Sequence, residues 1–171
     1  MTQDVSIEVD DTGCHAEAIQ PGLDWEMAVH SLIKVMKEPD VQIRISPTIN
    51  LYSIPRMYFF VEFFHKLFIT HGQDTGAMFN LAVAQEPGLS PCSMPKRYAK
   101  CLDRAIMYCN ENDLLFADHL RDVQAMIGTK IDEHTVTHIE SKWKSFHEER
   151  NEVRWAHLFP HVPGIIAELH K

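Results

Sequence analysis

Apolar residues recur three or four positions apart along most of this chain, and this period is the strongest constraint on its fold. A first run begins after Asp24, a residue type that caps helix N-termini, and ends before Pro39. A second run, Arg56 to Thr70, is apolar on more than one side, which is typical of a helix deep in a core. Four later runs follow at residues 98–109, 116–127, 132–146 and 153–158. The pattern predicts a single all-α domain of six or seven helices.

Two stretches of the chain lack this helical period. Residues 1–22 are polar and end in Pro21-Gly22, so we expect a flexible acidic N-terminal tail before a helical domain over residues 23–171. In residues 39–55, Val41, Ile43 and Ile45 alternate with polar residues. Prolines at positions 47 and 55 flank this alternation and disfavour a sheet. We therefore predict an extended connection there, with or without a turn of helix.

Charge and hydropathy exclude several classes of partner. The chain has 16 Lys and Arg against 24 Asp and Glu, a formal charge of −8, and no basic patch to attract nucleic acid. The longest mainly apolar stretch, Met57 to Thr70, is shorter than the ~20 residues of a membrane span. The acidic start lacks the features of a signal peptide, and the four cysteines form no CxxC pair. We expect a cytoplasmic protein with reduced thiols that binds neither nucleic acid nor membranes.

Catalytic and metal-binding motifs are scarce. The sequence has no phosphate-binding Gly-rich loop, nucleophile elbow or dinucleotide fingerprint, so we predict that it is not an enzyme. His134 and His138 are spaced to share one side of a helix, but no glutamate base lies between them. Glu62 and His65 have the spacing of one half of a di-iron site, and no second copy occurs. A non-heme metal site is therefore not expected.

Three segments, taken in order, give the chain a resemblance to the globins, and to invertebrate globins in particular. Phe64-His65-Lys66-Leu67-Phe68-Ile69-Thr70-His71-Gly72-Gln73, followed by Phe79, resembles the end of the second long globin helix and the phenylalanine that packs on heme. The segment from Lys96 to Ile106 is similar to the helix of the distal heme wall, and Ile131-Asp132-Glu133 to the start of the penultimate helix. Pro160 and Pro163 depart from the family, because proline interrupts a helix interior.

This resemblance implies a globin-like fold that binds heme and, through its iron, oxygen, another small gas or an anion, as a carrier or sensor. No histidine stands at the expected proximal position, near residues 125–127. Leu115 and His119 have the spacing of the proximal helix, which makes His119 the candidate axial iron ligand and Met126 the alternative. The implied heme-contacting residues are Phe79, Arg97, Tyr98, Leu115, His119 and Met126. The alternative is a heme-free helical bundle that serves as a sensory or protein-interaction module, with a protein partner or as a homodimer.

Overall fold

The computed structural model describes residues 3–150 and 152–171, with side chains for residues 3–146 and 155–171. The described part is mostly helical, as predicted, but it also contains strands, so the fold is not purely all-α. The strands are β1 (Gln3–Glu8), β2 (Val41–Ser46), β3 (Thr48–Ile49) and β4 (Ala82–Val83). The helices are α1 (Gly13–Ile19), α2 (Trp25–Val35), α3 (Met57–Thr70), α4 (Asp103–Glu111), α5 (Phe116–Met126), α6 (Thr135–Arg150), α7 (Glu152–Leu158) and α8 (His161–Leu169).

The strands pair in parallel, and helices connect them. β1 lies beside β2, with Gln3 opposite Val41 and Glu8 opposite Ser46. On the other side of β2, Ile45 bridges Phe79, and β3 then pairs with β4. The chain thus runs β1–α1–α2–β2–β3–α3–β4, the order of a parallel α/β unit. All strand carboxyl ends therefore meet at one edge.

The strands at residues 39–55 correct the predicted extended connection. The alternation of Val41, Ile43 and Ile45 is that of a strand, and Ile43 and Ile45 are buried. Pro47 lies between β2 and β3 and accepts a hydrogen bond from the Ala82 N–H through its carbonyl, at 3.0 Å. The proline interrupts the ladder only at its missing N–H, so it splits the strand without ending the sheet.

Residues 3–22 also differ from the tail that was expected; Met1 and Thr2 lie outside the described residues. β1 and α1 lie in this stretch, and Val9, Asp11 and Ala16 are buried. Two of the five acidic residues in this stretch, Asp4 and Glu8, lie at exposed positions on one face of β1. A strand with one solvated face has this composition, which is why the segment resembled a tail.

The helices predicted at residues 24–36 and 56–70 are confirmed as α2 and α3. The Asp24 carboxylate accepts a hydrogen bond from the Met27 N–H at 2.9 Å, so Asp24 is the N-cap of α2 as predicted. Trp25 of α2 packs on Phe63 and Phe64 of α3, with ring centroids 5.4 and 6.3 Å apart. The two helices thereby join one core with the inner face of the strands.

The remaining helices form a second layer of the core. A 3-10 segment, Lys96–Leu102, leads directly into α4, and α4 packs against both α3 and α5. α8 begins at His161 with Pro160 as its N-cap and Pro163 in its first turn. These are positions where a helix N–H has no intrahelical partner, so the prolines do not interrupt the helix. Among the described helices, none has both the length and the apolar content of a membrane span.

Gly88 fixes the loop after β4 against α6. Its φ is +86°, and a Cβ atom there would lie 2.6 Å from the carbonyl oxygen of His138. The loop backbone can approach α6 this closely only because Gly88 has no side chain.

We expect Gly88→Ala to lower the free energy of unfolding by about 3 kcal/mol, because backbone strain and a clash with backbone atoms add together. Gly72→Ala is the matched control: Gly72 has a φ of +66°, and a Cβ there would meet nothing within 4 Å. Strain alone should cost the control about 1 kcal/mol. Urea denaturation measures both, and equal losses would contradict the close approach to α6.

Candidate ligand-binding site

A cavity of about 220 Å³ lies at the carboxyl edge of the parallel strands. Asp10 follows β1, Thr48 and Asn50 come from β3 and its end, and Ala84 follows β4. The other lining residues are apolar or aromatic: Ile19, Tyr52, Leu89, Phe146 and Trp155. Open parallel sheets bind their ligands at this edge, because the loops that follow the strands converge there. Position and lining make this cavity the candidate site.

A tight turn after β3 places Tyr52 in the cavity wall. The Asn50 side-chain oxygen accepts hydrogen bonds from the N–H groups of Tyr52 and Ser53, at 2.9 and 3.2 Å. The Ser53 hydroxyl donates to the Asn50 carbonyl at 3.1 Å and accepts from the Asn50 N–H at 3.0 Å. Asn50 and Ser53 therefore satisfy each other in a buried Asx turn, which holds Tyr52 rigidly.

Tyr52 is 1% exposed, and its hydroxyl has no hydrogen-bond partner among the described residues. Burial raises the pKa of this phenol, so it stays protonated. An unpaired buried hydroxyl destabilises a protein. Tyr52 therefore contributes to the cavity wall through its aromatic ring, which makes extensive contacts with other rings.

Aromatic rings of the C-terminal helices close the cavity. The Tyr52 ring lies 5.7 Å from Phe146 of α6 and 5.6 Å from Trp155 of α7, both near perpendicular. Phe146 and Trp155 stack on each other at 5.0 Å. Trp143 and Phe159 also contact Tyr52 and extend the same cluster. Helices that are distant in sequence from the strands thus supply the cover of the cavity.

Two successive carboxylates follow β1 and have different surroundings. Asp10 accepts a hydrogen bond from the Thr48 N–H at 2.8 Å, and burial, together with the nearby charge of Glu8, raises its pKa. Asp11 is buried and paired with Arg56, whose Nε lies 3.2 Å from both carboxylate oxygens. Burial raises the pKa of Asp11 to about 6 although Arg56 opposes the shift. Asp10 faces the cavity, whereas Asp11 joins the β1–α1 loop to the start of α3.

Two histidines attach the C-terminal helices to the strand layer. His15 Nε2 donates to the Leu158 carbonyl at 3.2 Å, and His161 Nε2 donates to the Leu51 carbonyl at 3.0 Å. Burial lowers the pKa of both rings, and the charge of Arg56 lowers that of His15 further, to about 4. Both imidazoles are therefore neutral near pH 7. They hold α7 and α8 over the cavity without a buried charge.

The residues that the globin resemblance assigned to heme lie in separate parts of the structure. Phe79, Leu115 and His119 line a separate cavity of about 180 Å³ between the β4 strand region and α5. Arg97 is elsewhere, paired with Glu168 of α8 at 2.6 Å, and the Tyr98 hydroxyl lies against Gly164. Phe79 packs on Phe116 at 4.5 Å, and His119 is exposed.

These residues do not fit a heme held between Tyr98 and His119. The segment that carries Tyr98 packs directly on α5, because Gln124 donates a hydrogen bond to the Ala99 carbonyl at 2.9 Å. A Cβ atom on Gly128 would likewise lie only 3.2 Å from the Lys96 backbone. Neither Arg97 nor Tyr98 lines the cavity that contains His119. Met126, the alternative ligand, follows Gln124 on the same packed helix.

Metal ligands do not gather in the described part of the chain. No group of three His, Cys, Asp or Glu side chains there has the arrangement to hold an ion. His134 lies beside Glu133, and His138 contributes to a polar cavity with Cys92 and Lys130.

No protein-family model, no curated protein and no solved structure matches this chain.

Sequence reasoning missed the cavity residues Asp10, Thr48, Asn50 and Tyr52. A signal was present in the alternation of Val5, Ile7 and Val9, which repeats in Val41, Ile43 and Ile45. Two strands separated by a helical segment predict a parallel pair with polar residues after each strand. The prolines at positions 47 and 55 and the acidic composition of residues 1–22 argued against strands, so this interpretation was not made.

We expect Tyr52→Phe to raise the free energy of unfolding by about 1 kcal/mol, because it removes a buried hydroxyl without a partner and keeps the ring. Tyr108→Phe is the matched control, since the Tyr108 hydroxyl lies 3.0 Å from His65 Nδ1. That variant should lose about 1 kcal/mol. Urea titrations compare the two, and a loss of stability in Tyr52→Phe would show that its hydroxyl has a partner.

The His15 contact makes stability depend on pH. The folded-state pKa of His15 is about 4, below the ordinary 6.5, so its contribution is fully present above pH 6.5 and is lost as the pH falls toward 4. Asp11, with a raised pKa of about 6, acts in the opposite direction. His15→Gln keeps a donor for Leu158 and removes the titration. We expect the variant to lose about 1 to 3 kcal/mol less stability than the parent chain between pH 6.5 and 4.

Denaturant titrations at several pH values measure this difference. His30→Gln, at an exposed position of α2, is the control. Parallel pH profiles of His15→Gln and the parent chain would contradict the neutral buried imidazole.

Proposed function

We propose that this chain is a small-molecule-binding domain whose ligand occupies the cavity at the carboxyl edge of its parallel strands. The observation that carries the proposal is the meeting of residues from β1, β3 and β4 with an aromatic cover from α6 and α7. Largely apolar cavities with few polar groups are typical of small-molecule sites. The volume of about 220 Å³ is below the ~300 Å³ at which drug-sized pockets begin, so the ligand is compact.

The charge of the lining restricts the ligand further. Among the described lining residues, Asp10 is the charged one, and no lysine or arginine accompanies it. Arg56 is already engaged by Asp11. An anion would meet a carboxylate without a compensating cation, which is unfavourable in a partly buried site. The cavity therefore favours neutral or cationic ligands, in contrast to the anionic ligand considered for a heme site.

The globin-like fold, heme binding and the interaction-module alternative stay predictions from the sequence. The direct packing of the Tyr98 segment on α5 does not support a heme site. Among the described residues, the feature that supports a ligand most directly is the partly open cavity of about 220 Å³. A binding domain for a compact ligand accounts for the buried rings and for the placement of Asp10.

Binding of two ring compounds tests this function. We expect cyclopentanol to shift the backbone amide resonances of Thr48, Asn50 and Ala84 in NMR titrations, because these residues line the cavity. Cyclopentanecarboxylate should shift them at least about tenfold less at equal concentration, because its charge repels Asp10.

A pair of variants in one strand region provides the control. Ala84→Leu fills the cavity and should abolish the shifts, whereas Ala82→Leu, at an exposed position of β4, should leave them unchanged. No shift with cyclopentanol and none with an alkylammonium ion, or shifts confined to the cavity at Phe79 and His119, would refute the proposed function.

A further inference from the structure

One oxygen of the Asp10 carboxylate, Oδ2, has no hydrogen-bond partner among the described residues. Its Oδ1 accepts the Thr48 N–H at 2.8 Å. No lysine, arginine or histidine among the described residues forms an ion pair with Asp10. The nearby charge of Glu8 has the same sign and disfavours the ionised form further. A partly buried carboxylate without a cation is an uncompensated charge, which a positive group would stabilise.

The rings opposite Asp10 favour the same kind of group. Tyr52, Phe146 and Trp155 line the cavity and contact one another, with centroids 5.0 to 5.7 Å apart. Tyr52 lies nearly perpendicular to Phe146 and Trp155, which are stacked on each other, so the three ring planes have two orientations. The negative faces of aromatic rings attract a cation, most strongly when the site is desolvated. A carboxylate and several aromatic rings in one cavity form a site of negative potential.

The number of polar groups argues against a polyol of the same size. A sugar ring carries several hydroxyls, and each needs a partner when it is buried. Among the lining residues, the Asn50 amide oxygen is already used by two backbone N–H groups, and its nitrogen donates to the Thr48 carbonyl. The other polar groups of the lining are the Asp10 carboxylate and the hydroxyls of Thr48 and Tyr52, and Ile19, Ala84 and Leu89 are apolar. These few groups cannot pair with every hydroxyl of a sugar ring. An ammonium group with alkyl substituents leaves fewer polar atoms unsatisfied than a sugar would.

We infer that the cavity binds a compact organic cation, an alkylated ammonium whose charge faces Asp10 and whose substituents contact Tyr52, Phe146 and Trp155. This inference rests on the proposed function and names the ligand class of the same cavity. The acidic net charge of −8 raises the concentration of cations near the protein and assists their association.

Choline and its uncharged isostere 3,3-dimethylbutan-1-ol are the probes, because they differ in charge and share nearly the same shape. Isothermal titration calorimetry measures the binding of each at low ionic strength. We expect choline to bind the parent chain at least about tenfold more tightly than the isostere. Asp10→Asn keeps the acceptor for the Thr48 N–H and removes the charge, so it should bring the two affinities within about threefold of each other.

A second variant addresses the rings. Phe146→Leu keeps an apolar residue and removes one π face, so it should weaken choline about threefold or more and change the isostere less. Phe59→Leu, an exposed aromatic on α3 outside the cavity, is the matched control and should change neither. Circular dichroism confirms that each variant is folded before its affinities are compared.

The outcomes separate this inference from the proposed function. Equal affinities for choline and the isostere, or binding of cyclopentanol without binding of choline, would overturn the cation while leaving a compact ligand in the cavity. A choline preference that persists in Asp10→Asn would overturn the role of that carboxylate and with it the inference. If neither choline, its isostere nor cyclopentanol binds, both proposals fail.

Discussion

The parallel pairing of β1 with β2 is the interaction on which the candidate site depends. It places the end of β1 beside β3, and the hydrogen bond from the Thr48 N–H to Asp10 follows directly from that register. The same pairing buries Ile43 and Ile45 beneath the helices. A shift of one residue would move these side chains to the solvated face and the carboxylates away from Thr48. The register therefore determines core and site together.

The candidate site also requires that the C-terminal helices are attached to the carboxyl edge of the strands. The aromatic cluster around Tyr52 joins these helices to the strand edge, and aromatic pairs contribute beyond the area that they bury. His15 and His161 fix the orientation of the helices, because each imidazole donates a hydrogen bond to one carbonyl on the other side of the junction. Both rings are kept neutral by burial, so the junction is stable near neutral pH and weakens in acid.

Asp10 and Asp11 show how neighbouring residues of one type acquire different roles. Asp11 is buried with Arg56, so its charge is compensated within the protein and its function is to join loops. Asp10 lies beside the cavity with a backbone N–H as its partner, and no cation of the described residues pairs with it. The fold satisfies one carboxylate and leaves the other available. That difference, and not the count of acidic residues, is what points to a ligand and to its charge.

Much of the helical structure follows from local sequence. The period of apolar residues and the Asp24 cap define α2 and α3, because helix hydrogen bonds and capping connect residues close together in the chain. The predicted heme residues show the limit of this reasoning. Leu115 and His119 line one cavity at the start of α5, whereas Arg97 and Tyr98 contact α8.

The alternation in the two segments is a local signal for strands, but their register and the cavity were decided by tertiary structure. Strand hydrogen bonds join residues far apart in the chain, so Val41, Ile43 and Ile45 became a strand only once β1 lay beside them. The composition and the helical period were determined by the sequence itself. Which side chains meet depends on packing between distant segments, and no local pattern encodes that meeting of Asp10 with the rings of α6 and α7.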